Sequence, residues 1–137
     1  MPDSDNIVIT GGYPGSGSSG LSRVVSYNTQ GEATLLPRMQ QSRYAHGCGY
    51  YYNNDQLVSC TLRISIIFVS FTQTYLVTGG YHGGNLASTE LLHQDASQWV
   101  YAGELPSGRK DLRGATLGDK LIMIGEMMMD DVLISNI

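Results

Sequence analysis

Short apolar runs, each ended by glycine, proline or asparagine, set the pattern of this chain. Short runs bounded by turn-forming residues predict β-strands rather than helices. The strands predicted in this way cover residues 7–10, 24–28, 33–36, 50–52, 75–78, 88–92, 99–101, 113–117 and 121–124. No helix is indicated, so the pattern predicts an all-β fold.

Three of these runs end in a related glycine motif: Gly11-Gly12-Tyr13, Gly79-Gly80-Tyr81 and Gly125-Glu126. Glycine adopts positive φ easily and lets neighbouring backbone approach, so a doublet after a strand predicts a sharp, crowded exit. Recurrence of one motif at intervals of about 50 residues indicates a repeat architecture such as a propeller or a solenoid.

The composition agrees with short strands joined by tight turns. Charged residues are 15% of the chain, beside 17 glycines and nine tyrosines. A net charge of -4 and eight scattered Lys and Arg argue against nucleic acid and anionic membranes as partners, because both require clustered basic side chains. Cys48 and Cys60 are too few for a disulfide scaffold and are expected as free thiols. The first residues lack a secretory signal, which favours the cytoplasm, or else the nucleus.

Further residues follow the glycine doublets in a shared order. After the second doublet come the strand 88–92, Trp99, Leu105-Pro106, Arg109 and the strand 113–117. The first doublet is followed by the strand 24–28, Leu36-Pro37 and Arg43. This order resembles the kelch repeat, in which each copy forms one four-stranded antiparallel blade of a β-propeller.

The resemblance implies structural roles for individual residues. In kelch repeats the doublet closes the second strand of a blade, a tyrosine lies on the third strand and a tryptophan on the fourth. The matching residues here are Gly11, Gly12, Gly79, Gly80, Gly125, Tyr27 and Trp99. The chain departs from the family at Leu92 in place of a tyrosine, near Ala33 where a tryptophan is missing, and at Glu126.

On this basis the chain divides into about two and a half blades. Residues 1–37 form an incomplete blade, residues 38–105 a complete one with an insert, and residues 106–137 a truncated one. Propellers close with four to eight blades. The sequence therefore predicts an incomplete ring, a fragment of a larger kelch-type propeller.

The spacing of the doublets exposes the insert. Gly11 and Gly79 are 68 residues apart, whereas Gly79 and Gly125 are 46 apart. Removing the 16 residues 58–73 reduces the first interval to 52 and joins Leu57 directly to the strand before Gly79. Val-Ser and Gln can be encoded by splice-donor and splice-acceptor sequences, so our hypothesis is a retained, translated intron of a eukaryotic gene. Sequencing cDNA across residues 58–73 tests it, and transcripts that all keep the segment would contradict it.

A transmembrane helix and an inserted strand are alternative interpretations of this segment. Residues 57–77 carry a single charge, Arg63, and have the length of a transmembrane helix, although hydroxyl and β-branched residues dilute that pattern. Alternatively, residues 64–71 form a real strand inserted into a blade, and such an uncharged, proline-free run is prone to aggregate.

No catalytic or metal constellation is evident. Residues 15–20 match the glycine pattern of a dinucleotide loop, but a strand follows where that loop requires a helix. His46, His82 and His93 lack the spacing of a zinc site. We therefore expect no cofactor, no metal and no enzymatic activity.

The expected function is protein–protein interaction through loops on one face of the propeller. Tyr13, Arg43, Tyr81, His82 and Arg109 are the candidate contacts, because Tyr and Arg are favoured at binding hot spots. Arg43 and Arg109 precede strands at equivalent places, so a shared structural bond explains them equally well. The resemblance implies a scaffold or a substrate-recognition part, as in ubiquitin-ligase adaptors or actin-associated proteins; the alternative is a fragment of an enzyme built on a kelch propeller, similar to galactose oxidase.

Overall fold

The computed structural model describes residues 6–17, 19–51, 65–69, 74–93, 95–117, 120–124 and 132–136. Throughout these residues the regular structure is β-strand and no helix occurs, which confirms the all-β prediction. The strands are β1 Asn6–Thr10, β2 Val24–Tyr27, β3 Ala33–Leu36, β4 Gly47–Tyr51, β5 Ser65–Val69, β6 Thr74–Thr78, β7 Ser88–His93, β8 Val100–Glu104, β9 Arg113–Leu117, β10 Lys120–Ile124 and β11 Val132–Asn136.

The strands form three antiparallel sheets that do not close into a ring. The first sheet has the order β3-β2-β1-β5, the second β4-β6-β7-β8 and the third β11-β10-β9. In the second and third sheets, the strand before each glycine motif pairs with the preceding strand of the same sheet. In the first sheet that partner is β5, which comes from the chain between β4 and β6.

Most strand positions agree with the sequence pattern, and the differences have simple causes. β4 begins at Gly47, three residues before the predicted aromatic run. The pattern does not predict these three residues, because glycine and cysteine give no strand signal. Cys48 is nevertheless fully buried. The pattern does not predict β11. Within residues 57–77, β5 and β6 are strands, which contradicts a transmembrane helix there. Across the described part of the chain, no helix is long and apolar enough to span a membrane.

The repeat is visible in the backbone hydrogen bonds of the two glycine doublets. The N–H of Gly12 donates to Arg43 O at 3.0 Å, and that of Gly80 donates to Arg109 O at 2.8 Å. The N–H groups of both arginines in turn donate to the leucine in the preceding loop, Leu21 or Leu86, at 3.0 Å in each case. The two copies therefore share one connection from the end of a glycine strand to the start of the next sheet.

The main hydrophobic core lies between the first and second sheets. Its buried side chains come from both sheets and from the connection between them: Val8, Val24, Met39, Cys48, Tyr75, Val77, Leu92 and Trp99. A smaller cluster of Leu76 and Leu112, with Leu91 and Leu105 packed against it, lies on the other side of the second sheet. The second sheet is thus covered on both faces.

The two faces of the first sheet differ in burial, although Val25 on the less buried face is only 9% exposed. Val8 and Thr10 of β1 are fully buried against the second sheet, whereas Ile7, on the opposite face, is 36% exposed. Tyr27 lies opposite Ile7 in the β1–β2 register and is exposed to the same extent, and Leu35 of β3 is 68% exposed. This face presents apolar side chains without a covering sheet in the described structure.

Both glycine doublets have positive φ and lie against the next connection. Gly11 and Gly79 have φ of 62° and 63°, and Gly12 and Gly80 have φ of 124° and 97°. A Cβ at Gly79 would stand 2.7 Å from Arg109 O and would also overlap the Leu112 side chain. The doublet therefore requires glycine for its conformation and for the close approach of the neighbouring backbone.

We expect Gly79→Ala to destabilise the fold more than Gly31→Ala. Both glycines have positive φ, 63° and 80°, but a Cβ at Gly31 would meet nothing within 4 Å. The conformational cost for alanine is roughly 1–2 kcal/mol at each site, and overpacking at Gly79 adds about 1–3 kcal/mol. Urea denaturation of the two variants measures the difference. Equal losses of unfolding free energy would show that close packing at Gly79 is unimportant.

Candidate binding face

A row of three tyrosines and a lysine runs across the loops at one end of the sheets. The rings of Tyr13 and Tyr44 have centroids 5.1 Å apart, and those of Tyr44 and Tyr81 are 5.5 Å apart, both in tilted arrangements. The Nζ of Lys110 lies 5.6 Å from the centroid of Tyr81. Tilted aromatic pairs and a cation over a ring are mutually stabilising contacts. We call Tyr13, Tyr44, Tyr81 and Lys110 the tyrosine stripe.

Backbone contacts hold the stripe in place. Tyr44 and Tyr81 form an isolated antiparallel bridge, with N–H to O distances of 3.3 and 2.9 Å. The N–H of Gly20, in the loop after β1, donates to Nδ1 of His82 at 3.1 Å. His82 therefore ties the loop of the first sheet to the loop of the second, and its accepting Nδ1 leaves the ring proton on Nε2.

The five candidate contacts divide into two groups. Tyr13 is 38% exposed, His82 is exposed and Tyr81 is half-buried, so these three lie on the surface of the stripe region. Arg43 is fully buried and Arg109 is 4% exposed. Their side chains therefore do not lie on the surface, which favours the structural role.

Two residues of the stripe, Tyr44 and Lys110, are not among the candidates from the sequence. They directly follow Arg43 and Arg109, and they occupy equivalent places in the two copies. Their residue types differ, so a search for repeated residues passes over them. The usable signal is position: each of the two residues follows an arginine that precedes a predicted strand at an equivalent place in the two copies.

Arg43 joins the first sheet to the second through its side chain. Its Nη1 donates to Gly79 O at 2.7 Å and to Ser88 O at 2.9 Å, while Nη2 donates to Ser88 Oγ at 2.9 Å. Nη2 also forms an ion pair with Glu90 Oε1 at 2.6 Å, and both side chains are almost fully buried. Burial lowers the pKa of Arg43, and the carboxylate of Glu90 opposes that lowering.

Glu90 accepts further hydrogen bonds from the connection that carries Arg43. The backbone N–H of Gln40 donates to Oε2 at 2.7 Å, and that of Gln41 donates to Oε1 at 3.1 Å. The side chain of Gln40 donates to Trp99 O at 2.6 Å, and the indole N–H of Trp99 donates to Pro37 O at 2.8 Å. The charge of each buried group is therefore compensated, and Trp99 fastens the outer strand of the second sheet to the first.

His46 lies beneath the glycine doublets. It is 1% exposed, and its Nε2 is 2.8 Å from Thr10 Oγ1 on β1. A Cβ at Gly11 would stand 2.9 Å from Cε1 of His46, so the ring is confined by backbone on that side. Burial, and secondarily the charge of Arg43, lower the pKa of His46 to about 3. The ring is therefore neutral at physiological pH.

The remaining candidate chemistry is sparse. Within the described residues, no group of three or more His, Cys, Asp or Glu could hold a metal ion. Cys48 is buried and forms no disulfide, whereas Cys60 and Gly125 lie outside the described residues. Neither the models of known protein families nor the curated proteins include a match to this chain.

We expect Glu90→Ala to destabilise the fold by about 3–5 kcal/mol, because it leaves Arg43 charged, buried and without its carboxylate. Glu32→Ala, which removes an exposed acid on the turn between β2 and β3, is the control and should cost less than about 1 kcal/mol. Chemical denaturation of Glu90→Ala, of Arg43→Ala and of the Arg43→Ala, Glu90→Ala double variant measures the coupling, beside the Glu32→Ala control. Additive losses would show that the ion pair does not join the sheets.

Acid should destabilise the fold through His46. The unfolded chain takes up this proton near pH 6.5 and the folded chain only near pH 3, so the unfolded state binds more protons in between. Stability is therefore complete above pH 6.5 and falls below it, by up to about 1.4 kcal/mol per pH unit. Unfolding free energies measured from pH 7.5 to 5 should show this slope.

The slope should disappear in His46→Gln and persist in His93→Gln, which changes an exposed histidine. The range above pH 5 avoids the titration of ordinary carboxyl groups. A slope that survives in His46→Gln would assign the acid sensitivity to another group.

Proposed function

We propose that this chain is a non-catalytic protein–protein interaction module built as part of a kelch-type β-propeller. Two features support the propeller: the described strands form antiparallel sheets of three and four strands, and the two copies of the glycine motif share their hydrogen bonds to the next sheet. The buried Trp99 and the arginine connections fit the resemblance of the sequence to the kelch repeat.

The tyrosine stripe is the observation that carries the binding function. Three aromatic rings, a lysine and the exposed His82 lie together on loops that rigid sheets position. Tyrosine supplies a large contact area with little conformational freedom to lose, and it retains a hydroxyl for hydrogen bonding. Leu21, 40% exposed in the neighbouring loop, adds apolar surface. Such a mixture is typical of the centre of a protein interface.

The partner is a protein, and the place of action is the cytoplasm. The chain would act as a scaffold or as a substrate-recognition part of a larger protein, such as a ubiquitin-ligase adaptor or an actin-associated protein. Both roles need only a rigid fold with a binding face. The net charge of -4 and the lack of a basic cluster in the sequence agree with a partner other than nucleic acid or an anionic membrane.

The Tyr13→Ala, Tyr81→Ala double variant should lose its partner while it keeps its fold. The wild-type chain, the double variant and Tyr101→Ala are each immobilised. Quantitative mass spectrometry then compares the proteins that each of them captures. Each protein lost with the double variant is then purified and titrated. Its affinity should fall at least about tenfold, or about 1.4 kcal/mol.

Tyr101 is the matched control because it is a 58% exposed tyrosine on β8 and lies outside the stripe. Circular dichroism and thermal melting establish that all three proteins are equally folded. Purified partners that bind the stripe variant as tightly as the wild type, or that respond equally to Tyr101→Ala, would overturn the proposal.

A further inference from the structure

The segment that breaks the repeat also completes the first sheet. β5, Ser65–Val69, lies within residues 58–73, whose removal restores the regular spacing of the glycine doublets. It pairs antiparallel with all five residues of β1, from Asn6 opposite Val69 to Thr10 opposite Ser65. The segment that interrupts the repeat in the sequence thus adds a strand to the first sheet.

In the other two sheets, the place corresponding to β5 is occupied by a strand that precedes the glycine strand in the sequence. β4 pairs with β6 and β9 pairs with β10, and in both cases this partner precedes the glycine strand. β1 is the corresponding strand of the first sheet, and its partner on this side is β5. β4 also lies close to both β5 and β9, so these three strands form one row across the sheets.

The edge of β1 that β5 covers lies on a strand that is fixed in the main core. β1 carries Val8 and Thr10, both fully buried, in the main core. Without β5, the N–H and C=O groups on one side of β1 would have no strand partner, although the strand is fixed by its other contacts. A rigid edge of this kind is a template for the addition of an extended segment.

We propose that the edge of β1 opposite β2 is a strand-addition site and that β5 is a donor strand which fills it within the same chain. The site takes an extended, antiparallel, apolar segment of about five residues, with the pattern Ser-Ile-Ile-Phe-Val of β5. Main-chain hydrogen bonds supply the affinity, and the alternation of side chains sets the register. This role is independent of the origin of the segment in the gene and of the tyrosine stripe.

The first test supplies the strand in trans. A chain without residues 58–73 is mixed with a fluorescent synthetic peptide of residues 63–71, extended by lysines for solubility. We expect saturable 1:1 binding by fluorescence anisotropy. If the shortened chain is unfolded alone, we expect it to fold when the peptide is added, as seen by circular dichroism.

The control peptide carries Ile66→Pro and Ile67→Pro. Adjacent N–H groups of a strand point to opposite edges, so one of these prolines always removes a donor to β1. Its affinity should be at least about tenfold lower. A shortened chain that neither binds nor folds with the unmodified peptide, or that responds equally to both peptides, overturns the proposal.

The second test uses the full chain and does not depend on the folding of the shortened one. With Cys48 and Cys60 replaced by alanine, the pair Ile7→Cys, Phe68→Cys joins two register partners. The pair Ile7→Cys, Ile67→Cys is shifted by one residue and places the cysteines on opposite faces. Mild oxidation should close the first pair within one chain and leave the second open. Equal closure of both pairs, or closure of neither, contradicts the strand pairing.

Discussion

Arg43 fixes the arrangement of the first two sheets. Its backbone N–H and C=O bond to the loop of the first sheet, at Leu21 and Gly12, while its guanidinium bonds to the second sheet and pairs with Glu90. A charge buried in this way is tolerated only when its partners are in place, because an unpaired buried charge costs several kcal/mol. The requirement selects one relative position of the two sheets, which the nonspecific packing of valine, leucine and tryptophan in the core would leave less sharply defined.

The candidate binding face follows from the same connection. Tyr44 comes directly after Arg43, so the anchoring of that arginine places its ring between those of Tyr13 and Tyr81. The next residue, Ala45, has a φ of 52°, and Asp111 at the equivalent place in the second copy has a φ of 54°. Aspartate tolerates this conformation and alanine rarely adopts it, yet both residues have it, because the backbone bonds on either side impose the turn.

The sequence pattern predicts the strands well and the environment of individual side chains less well. β3 and β9 have the predicted bounds, since Pro37 and residues 118–119 punctuate the chain there. The sequence makes Arg43 and Arg109 candidate contacts because arginine is favoured at binding hot spots, and nothing adjacent indicates Glu90, which lies 47 residues away from Arg43. The sequence likewise does not predict the strand with which β5 pairs, because an apolar run indicates a strand without indicating its neighbour.

β1 and β6 separate what the sequence determined from what only the tertiary structure decided. Their apolar runs, alike in pattern and each followed by two glycines, establish by themselves two strands with sharp exits in a repeating all-β protein. Yet β6 is buried on both faces, whereas β1 buries Val8 and leaves Ile7 36% exposed. Burial depends on which sheets lie alongside, and that is set by contacts such as Arg43 with Glu90 that join residues distant in the chain.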